Sequence, residues 1–149
     1  MQIHYRNEVR GSGIDPRAIK SVARKLLAAV DHADAAISLT LVDDAAIREI
    51  NREHRGMDQP TDVLSFSLEP EPFVPEVLLG DIVISLETAQ RQAAEYDAPL
   101  QREVERLMIH GLLHVLGHDH MEPQERHAME AEERRLAAVI GMPWPYDEN

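Results

Sequence analysis

The chain has 149 residues, about one domain's length, and its 44% hydrophobic and 28% charged residues suit a single core and exclude intrinsic disorder. It contains no cysteine, which rules out disulfide frameworks, thiolate zinc sites, iron–sulfur clusters and cysteine nucleophiles, so any metal must be held by His, Asp or Glu. A net charge of −12 argues against an extended phosphate-binding surface.

The N-terminus is polar from residue 2 and has no apolar signal segment, which predicts a cytoplasmic protein. A transmembrane helix needs about 20 consecutive apolar residues, and runs such as 26–30 fall far short, so no membrane contact is expected. Period-two alternation predicts a first strand over residues 2–6. A helix over 16–30 follows, opened by Asp15 and Pro16. Arg17, Lys20, Arg24 and Lys25 recur along it at helical spacing. The first 30 residues carry six basic and two acidic side chains, so this helix is the one basic region of an acidic chain.

Next come a strand over 36–42, a helix over 44–54 and a strand over 61–68, in which Leu64, Phe66 and Leu68 share one apolar face. Pro70, Pro72 and Pro75 predict a loop with polyproline character rather than a domain linker. A strand over 81–86 and helices over 87–96, 100–117 and 123–140 complete the pattern. Trp144, between two prolines of the tail, is expected to dock on the body. The order β-α-β-α-β-β-α-α-α predicts one α+β domain over residues 1–149, with about five helices packed on a small mixed four-stranded sheet.

The helix over 100–117 carries the chemistry. Leu107, Met108, Ile109, Leu112, Leu113, Val115 and Leu116 make it apolar nearly all round, so it should be the buried central helix. His110 and His114 interrupt this surface at i and i+4, about 40° apart on one face, where two imidazoles can meet one ion. Gly117 predicts the helix stop, and His120 brings a third nitrogen within reach of the same point. Three nitrogens and no thiolate suit Zn²⁺ best, although Fe²⁺, Ni²⁺ or Cu²⁺ share the ligand type. Three protein ligands leave one position for water, which favours catalysis over a structural site. The spacing is also that of a zinc-protease signature, but Gly111 stands where the general-base glutamate would be, which demotes a peptidase.

The string HGLLHVLGHDH, residues 110–120, resembles the signature of the YbeY family of bacterial rRNA-maturation endoribonucleases. Asn51, Arg55, the run PTDVLSFSL from Pro60, and Gly80, Asp81 and Ile82 resemble the family's upstream blocks in the same order. Val115 replaces a leucine, and His118 stands where the family usually has tyrosine. The resemblance implies a single-strand-specific, metal-dependent endoribonuclease, with His110, His114 and His120 as ligands of one Zn²⁺ per chain. It sets Arg55 opposite the metal, beside a zinc-bound water, where a guanidinium recognises phosphate and stabilises charge that builds in the transition state. Asp62, Asp119 and His118 are expected behind the ligands: Asp62 tying down a strand start and Asp119 orienting the turn to His120. His54, adjacent to Arg55, is a candidate cleft residue. The implied partners are precursor small-subunit rRNA and ribosomal particles. Two rivals stand beside this reading: a non-catalytic, zinc-stabilised ribosome-assembly factor, and a zinc peptidase.

Overall fold

The computed structural model describes residues 3–69, 77–118 and 122–143. Gln2, Pro70, Pro72, Pro75, Asp119, His120 and Trp144 therefore lie outside the described residues, as do the expectations that rest on them. Strands β1 (Ile3–Asn7), β2 (Ala35–Val42), β3 (Val63–Ser67) and β4 (Val77–Ser85) form one sheet in the order β1-β2-β4-β3. β1, β2 and β4 run parallel, and β3 is an antiparallel edge strand on β4. The helices are α1 (Pro16–Ala29), α2 (Asp44–Arg55), α3 (Leu86–Glu95), α4 (Leu100–Val115) and α5 (Pro123–Val139).

Because side chains alternate along a strand, the register sorts the apolar residues onto two faces. Ile3 pairs with Ile37, Leu39 with Ile82 and Leu41 with Ile84, so these six share one face. That face packs with buried residues of α1, α4 and α5, among them Leu26, Met108, Leu112 and Leu136, in the main core. On the other face Leu64 pairs with Val83, and these two residues join Val42 and Ile47 of α2 in a smaller cluster. The result is an α+β architecture with a mixed four-stranded sheet, five helices, and α4 buried across the sheet. Among the described residues no helix is long and apolar enough to cross a membrane.

The structure departs from the expected elements mainly at strand ends. β4 begins at Val77 rather than at residue 81, because Ala35 and Ala36 of β2 pair with Val77 and Leu78 and extend the strand back toward the proline-rich loop. β3 begins at Val63 rather than 61, since the Asp62 carboxylate accepts from the Val63 amide at 2.7 Å. Leu86 belongs to α3, whose N-cap is Ser85: its hydroxyl accepts from the Thr88 amide. α4 also buries Glu103, Glu105 and Arg106 in the turns before its apolar run.

Candidate metal and phosphate site

Two features of α4 bring its histidines to the edge of the sheet. A β-carbon at residue 111 would lie 2.8 Å from Ile82 Cγ2 and 3.1 Å from Ser65 Oγ, so only glycine lets the helix approach β3 and β4 this closely. The same crowding explains why residue 111 cannot carry the glutamate of a zinc peptidase. At the C-terminus the Gly117 amide donates to the His114 carbonyl and the His118 amide to the Leu113 carbonyl. These two bonds make a Schellman motif, with Gly117 at φ +99°. The helix therefore stops just before Gly117, as the sequence predicts.

The Nε2 atoms of His110 and His114 are 3.2 Å apart, and their rings meet edge to face with centroids at 4.6 Å. Two nitrogens each about 2.0–2.1 Å from one tetrahedral zinc would lie about 3.3 Å apart, so the pair is spaced as two ligands of a single ion. Among the described residues no third histidine or carboxylate joins them in a metal-binding group. His110 Nδ1 lies 2.8 Å from Glu133 Oε2 on α5, across 23 residues of sequence.

The two imidazoles open into a cavity of about 330 Å³, lined also by Arg55, Thr61, Asp62, Val63 and Ser65. Arg55 is the last residue of α2, and its guanidinium crosses to β3, donating from Nη2 to the Ser65 carbonyl at 3.2 Å. Asp62 O and Leu68 N both bond to β4 backbone, so alternate residues, including Ser65, direct their backbone groups to the free edge. That geometry gives Arg55 its anchor. The guanidinium carbon also sits 5.9 Å from the Phe66 ring centroid. Buried Asn51 holds the connection between α2 and β3, donating from its amide to the Gln59 carbonyl at 2.9 Å.

Asp62 lines the cavity with both carboxylate oxygens engaged. Oδ1 accepts from the Val63 amide, and Oδ2 accepts from Gln92 Nε2 at 3.2 Å. Behind Gln92, its Oε1 accepts from Arg106 Nη2 at 3.3 Å. A polar chain thus runs from the interior of α4 to the start of β3. The hydrogen bond from Arg135 holds the Glu132 carboxyl of α5 below its ordinary range, and His118 lies within electrostatic reach of that carboxyl. His54 stacks obliquely on Phe66, with centroids at 5.2 Å, and is not among the cavity-lining residues. Arg17, Arg24 and Lys25 are exposed on α1, and half-buried Lys20 lines a separate groove with His4 and Arg6.

The structure therefore brings His110, His114, Arg55 and Asp62 to one cavity. It sets His118 toward α5. Asp119 and His120 are outside the described residues. Sequence reasoning missed Glu133, Gln92 and the Ser65 carbonyl. Only Glu133 left a signal, as an acidic residue within the i, i+4, i+7 stripe of Met129, Leu136 and Ala137 that α5 buries.

A family model described as endoribonuclease YbeY matches residues 4–141 of this chain. A Desulfitobacterium hafniense protein named endoribonuclease YbeY is 43% identical over 130 residues, 83% of each chain. A Rhodopseudomonas palustris protein of the same name is 38% identical over 146 residues, 95% of this chain and 86% of its own. A Thermotoga maritima protein solved in solution superposes with a TM-score of 0.63 at 28% identity, covering 93% of this chain and 89% of its own.

Proposed function

This chain belongs to the endoribonuclease YbeY family, and on that premise we propose that it is a zinc-dependent endoribonuclease that cleaves single-stranded regions of precursor small-subunit rRNA in the cytoplasm. One observation carries the reading: His110 and His114 present converging Nε2 atoms to the same cavity that Arg55 enters from the opposite element. His120 is the third ligand we assign, from its place in the motif. His110, His114 and His120 would hold the ion, which would supply Lewis acidity toward a phosphoryl oxygen and lower the pKa of water to about 7.

The protein's own part is to position. Arg55 spends one donor on Ser65, and the fork keeps others to bind a phosphate and to stabilise charge that develops on it. Asp62 and Asn51 fix the approach to β3, so the wall that carries Ser65 is held in register with the histidines. In the rRNA reading, the acidic body repels free RNA, and recognition falls to local basic surface or to the ribosomal particle itself.

The test is cleavage of a precursor rRNA fragment by the purified zinc-loaded protein and by Arg55→Ala. We expect the variant to keep its fold and zinc and lose about 10²–10³-fold in rate. Equal activity of the two proteins would overturn the role of Arg55. A wild type that never cleaves, yet unfolds when zinc is removed, would favour a structural zinc in an assembly factor. The end groups of the products distinguish attack by water from attack by the neighbouring 2′-hydroxyl.

A further inference from the structure

α5 buries Met129, Glu133, Leu136 and Ala137 on one face. Three of the four suit the apolar face of a packed helix, and Glu133 does not. Its residue is only 8% exposed, and a carboxylate at such a place is costly unless something specific compensates it. The compensation is His110: its Nδ1 is 2.8 Å from Glu133 Oε2, and this is the ring nitrogen that does not face His114.

The consequence lies in the tautomer. A neutral imidazole carries one proton, and a carboxylate that accepts from Nδ1–H fixes that proton at Nδ1. Nε2 then presents its lone pair, and it is Nε2 that faces His114 across 3.2 Å. We infer that Glu133 is a positioning residue for metal binding, holding the His110 ring in orientation and in the Nδ1–H tautomer so that Nε2 is ready to ligate. The inference rests on the proposal that His110 and His114 are zinc ligands. A carboxylate behind a ligating histidine also raises the basicity of the ligand, and loss of such a partner typically costs 10–100-fold in metal affinity.

The alternative is that Glu133 and His110 simply form an ion pair that ties α5 to α4, and Glu133→Leu separates the two. That substitution continues the apolar stripe but removes only one partner of the pair, so the His110 Nδ1–H loses its acceptor and some stability goes with it. We therefore expect metal-free Glu133→Leu to melt below the wild-type temperature, and the discriminating readout is its zinc affinity, measured by competition with a chelating dye, which should be up to about 100-fold weaker. Glu133→Gln keeps a weaker acceptor, and a loss of about tenfold is expected. Cobalt in place of zinc should show a weakened or shifted d–d spectrum in both variants. Zinc affinity in both variants equal to wild type would overturn the inference, as would a lower melting temperature with unchanged affinity. The underlying reading fails separately, if wild type binds no zinc or if His114→Ala binds it as well as wild type does. Where the variants do not fold, nitrogen chemical shifts of His110 in the metal-free wild type decide: Nδ1–H with an unprotonated Nε2 supports the inference, and a proton on Nε2 alone overturns it.

Discussion

In the first half of α4, Glu103 and Arg106 meet on one side of the helix, with Arg106 Nε donating to Glu103 Oε1 at 3.0 Å and Nη2 to Gln92. In the second half, His110 and His114 meet one turn apart with Nε2 facing Nε2. Both halves place ionisable groups against the core, yet only the second lines the cavity that Arg55 enters. A guanidinium and a carboxylate offset one another's charge, and Gln92 accepts from a further donor of Arg106. Two converging imidazole nitrogens are ligand-type atoms at the spacing of one ion, and they line an open cavity. Burial of charge alone therefore does not mark a site. The mark is a pair of ligand-type nitrogens that converge at a cavity.

That contrast can be broken at several points. Arg106→Ala should be the most damaging, because it leaves the Glu103 carboxylate buried and uncompensated. A loss of about 3–5 kcal/mol is expected in denaturant unfolding, with zinc stoichiometry unchanged in the protein that remains folded. Gly111→Ala should cost about 1–3 kcal/mol by pushing α4 off β3 and β4, since the added methyl has Ile82 and Ser65 in its way. Its zinc affinity should fall with its stability, because the histidines ride on the same helix, and a well-folded variant with full affinity would show that the close approach is dispensable.

His114→Ala sharpens the comparison from the other side. It should abolish stoichiometric zinc in elemental analysis while the metal-free protein changes by no more than about 1 kcal/mol, since the cavity already gives this side chain solvent on one side. Smallest in stability is the double change of exposed Arg24 and half-buried Lys20 to Gln, expected within about 0.5 kcal/mol because surface charges on one helix contribute little. Its readout is association with small-subunit particles: weaker binding, and a salt dependence flattened by about one unit of slope for each phosphate no longer engaged. An unchanged slope would return α1 to a merely solvated face.

What sequence alone could determine was whatever is written in short-range periodicity. Alternation over Ile37, Leu39 and Leu41, helical spacing from Leu107 to Leu116, the placement of His110 and His114 on one face, and the stop at Gly117 all follow from geometry that each segment carries by itself. Arg55 had a role only through the resemblance of its motif to the family's, not through any geometry of its own segment. Tertiary structure decided the rest. Only the packed helices reveal that Glu133 stands behind His110, 23 residues away, and that Arg55 is anchored by a carbonyl on the free edge of β3. Only the pairing of β2 with Val77 and Leu78 carries β4 back past the end of its alternating pattern. The reason is physical: a local pattern says which face of an element is apolar, but which residue of another element meets that face depends on register and on distance of approach. Here the approach is set at Gly111, where the missing β-carbon lets the helix close on the sheet.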